Sequence, residues 1–270
     1  MGATQQTTPT PVVLEERAGS VATIRLNRPD KLNALNIELG QQLVHALLRF
    51  QADREINCVV LTGAGRAFCA GGDLEVLRDA RKRKATNEVE ALVTAGKEIA
   101  LAIATMPKIV IAAVNGPAAG GGMNLALAAD IRIASNQAKF AESFVQIGLF
   151  PDFGGTYFLP RIVGPARATE LFYTAQMLSA EDALRLGIVS RVIPADQFEA
   201  ETKKFAEGLA AGAGLAQRDV KHKMSTEQRK ELEAALDEEI RLQKHCFDSQ
   251  DCLEGLNAFF EKRKPNFQGH

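Results

Sequence analysis

Residues Ile109 to Asp130 read IVIAAVNGPAAGGGMNLALAAD. Ile109 to Val114 is an unbroken apolar run, as expected of a strand buried on both faces. Asn115-Gly116-Pro117 ends it. Gly120-Gly121-Gly122 follows, and Met123 to Ala129 has the Ala- and Leu-rich composition of a buried helix. A strand, a glycine turn and a helix start thus succeed one another directly. Such a turn aims backbone N–H groups at one point, with the positive end of the helix dipole behind them. Glycines let a ligand approach the backbone closely. The arrangement suits an anion, either a bound phosphate or an oxyanion that develops during reaction. Alone, a run of three glycines reads equally as a tight turn with close helix–strand packing.

A second loop of the same kind lies upstream. Cys58 to Thr62 is another buried strand, followed by Gly63-Ala64-Gly65-Arg66-Ala67-Phe68-Cys69-Ala70-Gly71-Gly72-Asp73-Leu74. Again a strand ends in small residues, with an acid before a helix. Two such loops after neighbouring strands can give one N–H each to a single oxygen.

AFCAGGDL (Ala67–Leu74) and AAVNGPAAGGGMNLALAADIRIA (Ala112–Ala134) resemble the crotonase, or enoyl-CoA hydratase/isomerase, superfamily. NRPDKLNALN (Asn27–Asn36), GGTYFLPRIVG (Gly154–Gly164) and EGLNAFFEKRKPNF (Glu254–Phe267) extend the resemblance from about Val12 to the C-terminus. It implies an α/β fold, a spiral of ββα units with a C-terminal helical oligomerisation module. It also implies an acyl-CoA substrate, so coenzyme A enters as part of the substrate and no covalent cofactor is expected. Homotrimers, or hexamers built as dimers of trimers, are the family's assemblies.

Bulk properties agree with that class. The chain has 270 residues, 46% hydrophobic and 24% charged, with a formal net charge of −1. No global field favours nucleic acid or a membrane surface. No apolar segment reaches the length of a membrane span, and MGATQQTTPTP lacks the basic start and apolar core of a secretory signal. A cytoplasmic protein with a short disordered tail is the simplest expectation. Cys58, Cys69, Cys246 and Cys252 fit neither a disulfide framework nor metal-ligand spacing, and no metal is expected from the four histidines. Cys69 has no histidine near it in sequence and reads as a small buried residue.

Along the chain, Val12 to Glu16 and Val21 to Leu26 read as a hairpin around Ala18-Gly19-Ser20. Asn36 caps a helix to about Asp53, and one helical, charge-rich stretch runs from Leu74 to about Thr105. Asp130 to Ala134, Lys139 to Ala141 and Val189 to Ile193 are further short strands. Pro165 to Thr174 and Ser179 to Leu186 are helices, and everything after Ala195 is helical. The expected division is a tail over 1–10, a catalytic core over 11–195 and a helical module over 196–270. Leu232, Leu236, Ile240, Leu253, Leu256, Phe259 and Phe260 give that module apolar faces, to be buried within one chain or between chains.

The resemblance assigns roles position by position. The N–H groups of Gly72 and Gly121 match the family's oxyanion hole for a thioester carbonyl. Family hydratases carry two catalytic glutamates; the matching positions here are Asn124 and Phe144, so simple hydration loses both carboxylates. Glu142 is near Phe144 but out of register. Asp152, in PDFGG, resembles the turn aspartate of the family's single-aspartate enoyl-CoA isomerases. Beside Phe144 and Phe153, desolvation is expected to raise its pKa, as suits a base that returns its proton. Its bland alternative is a turn residue. Lys31, Leu32 and Ala34 match adenine and phosphate contacts, and Ala70, Asp73 and Leu74 match contacts around the first loop. Phe259 and Lys262 match residues that reach the nucleotide from a neighbouring subunit. The basic run Arg78 to Lys84 reads as an exposed helix face. The favoured function is an acyl-CoA isomerase that shifts a double bond next to the thioester. The alternatives are hydration or thioester hydrolysis with Asp152 activating water, and a non-catalytic acyl-CoA-binding homologue. A dehalogenase with an aspartate nucleophile is disfavoured by the absence of tryptophan and by histidines lying outside the site motifs.

Overall fold

The structure, a computed structural model, describes residues 11–226 and 229–270, so the expected tail over 1–10 lies outside the described residues. Val13–Ala18 (β1) and Val21–Leu26 (β2) form the antiparallel hairpin. Asn36 caps Ile37–Ala52 (α1), its side chain accepting from the Leu39 N–H at 2.9 Å. Cys58–Gly63 (β3) leads into Leu74–Arg83 (α2) and Thr86–Thr105 (α3). One helix was expected there. Lys84 breaks it at φ 55, a left-handed cap whose N–H closes on the Ala80 and Arg81 carbonyls.

Ile109–Val114 (β4), Ala118–Ala119 (β5) and Gly121–Leu127 (α4) realise the central stretch. Ile131–Ser135 (β6) and Lys139–Ala141 (β7) follow. A 3-10 turn over Ser143–Ile147 and the helix Gly155–Val163 (α5) were not expected. Glycines and a proline concealed α5, since Gly154-Gly155 reads as a turn and Pro160 lies inside the helix. Pro165–Thr174 (α6), Leu178–Ser179 (β8), Ala180–Arg185 (α7) and Arg191–Ile193 (β9) come next; Ser179 and Asp182 form a capping box. The chain ends in Phe198–Ala210 (α8), Gly214–Thr226 (α9), Arg229–Asp248 (α10) and Gln250–Glu261 (α11).

Six strands make the main sheet in the order β1-β2-β3-β4-β6-β9, parallel from β2 onward. A smaller sheet, β5-β7-β8, stands beside it. The continuous apolar runs of β3 and β4 follow from burial on both faces. Val59, Leu61, Val110 and Ala112 point into the main core, while Cys58, Val60, Ile111 and Ala113 pack beneath α8 with Phe198 and Ala206.

Most of the C-terminal apolar face is covered within the same chain, although Phe259 stays exposed. Leu232, Leu236, Phe247, Cys252 and Leu256 join the main core, and Ile240 packs against it. The basic run of α2 faces this module rather than open solvent alone: Arg78 lies 3.6 Å over the Phe260 ring, and Arg81 donates to the Asp248 and Ser249 carbonyls. No described helix is long and apolar enough to cross a membrane.

Candidate active site

β3 and β4 pair in parallel, so their carboxyl ends release the two glycine loops at one edge of the sheet, where open α/β sheets bind ligands. Asn115 ties the loops together. Its Oδ1 accepts from the Gly63 N–H at 3.0 Å and its Nδ2 donates to the Gly65 carbonyl at 3.0 Å. Cys69 and Ala118 form a parallel bridge, with the Cys69 N–H on the Pro117 carbonyl and the Ala119 N–H on the Cys69 carbonyl. A Cβ on Gly122 would stand 2.1 Å from the Cys69 carbonyl oxygen, so this closeness requires glycine. Gly71, at φ 91, brings its loop equally near: a Cβ there would lie 3.6 Å from the Gly121 nitrogen.

The two N–H groups of the expected oxyanion hole are spared by these bonds. Leu35 bridges to Gly72 by donating to the Gly71 carbonyl and accepting from the Asp73 N–H. Such a parallel bridge uses the groups on either side and turns the Gly72 N–H the other way. Gly121 opens α4, where an N–H has no intrahelical partner.

Both glycines line a cavity of about 460 Å³, as do Asp152, Phe144, Phe153 and Gln243. Asp152 is only 5% exposed. Its Oδ1 would lie 3.7 Å from a Cβ on Gly121, which places the carboxyl against the glycine turn. Its Oδ2 accepts from Gln243 Nε2 at 2.9 Å. Burial pushes the Asp152 carboxyl up to about 8; the Gln243 hydrogen bond opposes that shift and the nearby Glu239 adds to it. Phe144 and Phe153 supply apolar wall, and Phe153 sits at φ 56, a strained setting for a bulky residue.

Three polar side chains hold the turn that carries Asp152. Asn124 Nδ2 donates to the Asp152 carbonyl at 2.8 Å. Glu239 accepts from the Gly154 N–H at 2.8 Å, the Thr156 N–H at 3.0 Å and the Thr156 hydroxyl, and so caps α5. Gln243 Oε1 accepts from the Phe150 N–H at 3.0 Å. Asn124 therefore lies behind the cavity wall instead of facing a substrate. Glu142 is buried beside it, and burial holds its carboxyl well above the ordinary range. Neither Glu142 nor Asn124 lines the cavity.

Of the expected CoA contacts, Lys31, Ala34, Ala70, Asp73, Leu74 and Phe259 line the same cavity, whereas Leu32 and Lys262 do not. Asp73 has firm structural duties, capping α2 and pairing with Arg28 at 2.8 Å. Lys31 pairs with Glu75 at the surface. Phe259, expected to serve a neighbouring subunit, stands 56% exposed at its own chain's cavity. Burial pushes the Cys69 thiol up to about 12, which leaves it a packing residue and no nucleophile.

Gln243 and Glu239 were missed by sequence reasoning. The signal was present: they fall on the buried stripe of α10 with Leu232, Leu236 and Phe247, and polar residues on such a stripe need partners.

Comparison with known proteins identifies the family. The enoyl-CoA hydratase/isomerase family model matches residues 16–270. The chain is 42% identical to the probable enoyl-CoA hydratase of Rhodobacter capsulatus, over 94% of this chain and 96% of that one. It is 38% identical to the 1,2-epoxyphenylacetyl-CoA isomerase of Escherichia coli, over 95% of this chain and 98% of that protein. The crystal structure of an enoyl-CoA hydratase from Bacillus halodurans superposes with a TM-score of 0.87 at 30% identity, covering 92% of this chain and 99% of the other. With two loops zipped at one sheet edge and a match along nearly its whole length, the chain belongs to the enoyl-CoA hydratase/isomerase family of the crotonase superfamily.

Proposed function

We propose that the protein is an acyl-CoA isomerase that moves a double bond next to the CoA thioester, with Asp152 as its single acid/base. The observation that carries this reading is the state of the carboxyls around the cavity. Asp73 is taken up by Arg28 and the α2 N-terminus, and Glu75 pairs with Lys31. Asp152 is buried, faces Gly121 and pairs with no cation among the described residues.

With a 3-enoyl thioester bound, the Asp152 carboxylate takes a proton from C2. The electron pair spreads through C2–C4 and onto the thioester oxygen, which the Gly72 and Gly121 N–H groups receive. Each such donor is worth ~3 kcal/mol of barrier. The same carboxyl returns the proton to C4, leaving the conjugated 2-enoyl thioester. Raised to about 8, Asp152 is basic enough to take a proton and acidic enough to give it back. Residues 11–195 supply these groups, the helical 196–270 segment closes the cavity over them, and the assembly is a trimer or a dimer of trimers, as in the family.

The name of the Escherichia coli relative, an isomerase of an aromatic epoxide thioester, fits the same one-carboxylate chemistry. Hydration, named for the Rhodobacter relative, needs a positioned water and a second proton carrier, which Asn124 and Phe144 do not provide. A substrate deuterated at C2 tests the single-base path. Label carried in part to C4 supports one buried carboxyl, whereas complete washout into water at early conversion contradicts it.

A further inference from the structure

From the geometry we infer that Gln243 is a positioning residue, which fixes Oδ1 of Asp152 as the one oxygen that carries the proton. The inference rests on Asp152 being the acid/base.

The Phe150 N–H can only donate, and its acceptor is a side-chain end of Gln243 at 3.0 Å. That end must be the carbonyl oxygen, so the amide cannot be reversed. The NH2 end then faces Asp152 Oδ2 at 2.9 Å, and it too can only donate. Oδ2 is therefore an acceptor whether Asp152 is ionised or neutral. A proton on the carboxyl must reside on Oδ1, the oxygen beside Gly121.

The positioning is rigid. Gln243 is 3% exposed and Glu239, one helical turn earlier, grips the far end of the same turn through Gly154 and Thr156. One face of α10 thus holds Phe150 to Thr156 from both sides. A carboxyl free to rotate would present either oxygen; this one presents Oδ1 toward the glycine loop throughout the proton's return trip. The titratable groups facing Asp152 are Glu239 from α10 and Glu142 from the segment after β7; Asn124 from α4 is neutral.

The test is steady-state isomerisation of a 3-enoyl-CoA by Gln243→Met, Gln243→Glu and Asp152→Asn across a pH series, with CoA affinity and melting temperature measured for each. Gln243→Met keeps the length and removes the donor. The expected result is a fall in kcat of roughly 10- to 100-fold with KM little changed, and an acidic limb displaced to higher pH. Gln243→Glu, nearly the same shape, covers the case in which the methionine variant does not fold. Its ionised form cannot donate, so its limb also moves up. Wild-type kcat and an unmoved limb in a folded Gln243 variant, while Asp152→Asn is inactive, would overturn the role of Gln243 and leave Asp152 standing. An active Asp152→Asn would remove the reading on which the inference rests.

Discussion

Asp152 and Gly121 face each other across the candidate site, with Oδ1 of the aspartate 3.7 Å from the point where a Cβ on the glycine would sit. A base and an oxyanion donor are thereby held on one small patch, and the thioester's C2 lies next to its carbonyl carbon. Proton removal and charge stabilisation can then act on adjacent atoms without either group moving.

That relationship separates two adjacent glycines. Gly121→Ala retains the N–H and puts a methyl 3.3 Å from a Leu35 methyl and toward Asp152 Oδ1. It should fold with a melting temperature near wild type, helped by the helix preference of alanine, and lose at least about tenfold in kcat/KM. Gly122→Ala drives its methyl into the Cys69 carbonyl and must separate the two loops. Its loss should be in stability, by more than ~2 kcal/mol in denaturant unfolding, as well as in activity.

The buried Asp152 also makes stability depend on pH. Its native pKa of about 8 lies above the unfolded value of 3.8, so between these values the native state holds the extra proton. Its contribution is complete below the unfolded value and is lost as pH rises through the native one. Asp152→Asn lacks this loss. The melting temperature of the variant minus that of wild type should grow from about pH 5 to about pH 9. A constant difference across that range would contradict the raised pKa. In the wild-type rate profile, activity should rise with pH to a midpoint near 8.

Gly96 on α3 gives the turn a further support. A Cβ there would stand 2.4 Å from Phe153 Cε2, so the ring lies flat against the helix backbone. Gly96→Ala should displace Phe153, cost ~1–3 kcal/mol in unfolding free energy and lower kcat, although Gly96 itself lines no part of the cavity.

Lys221 supplies a contrasting case, remote from the chemistry. Buried on α9, it donates to the Ile103 and Lys108 carbonyls at 2.8 Å each and pairs with Asp130 at 2.7 Å. Burial lowers its pKa and Asp130 opposes that. Lys221→Met removes the donor to two carbonyls, while Asp130 keeps the Val110 N–H and partial solvent contact; it should cost ~1–3 kcal/mol, with kcat of the remaining folded enzyme unchanged.

Much of this was legible from residue pattern alone. The apolar runs at 58–62 and 109–114 announced strands buried on both faces, and Asn36 and Ser179 announced helix starts that their side chains do cap. The glycine loops were readable because close backbone approach leaves few alternatives to glycine. The family's motifs pointed to Asp152, Gly72 and Gly121. What escaped is non-local. Gln243 and Asp152 are far apart in sequence, and nothing within α10 announces which turn it grips. The motif marks Asn124 only as the place of a lost hydratase glutamate; its bond to the Asp152 carbonyl, which holds the turn, joins residues far apart in sequence. Nor does the sequence of α10 and α11 announce that they pack over their own chain's core and cavity.

The most direct test of the account is the conversion of a 3-enoyl-CoA to its conjugated 2-enoyl isomer, followed by ultraviolet absorbance, in wild type and in Asp152→Asn. The wild-type rate should fall by at least about a hundredfold in the variant, with CoA affinity retained. An equal rate in the two proteins, or hydration of 2-enoyl-CoA by a wild type that does not isomerise, would contradict it.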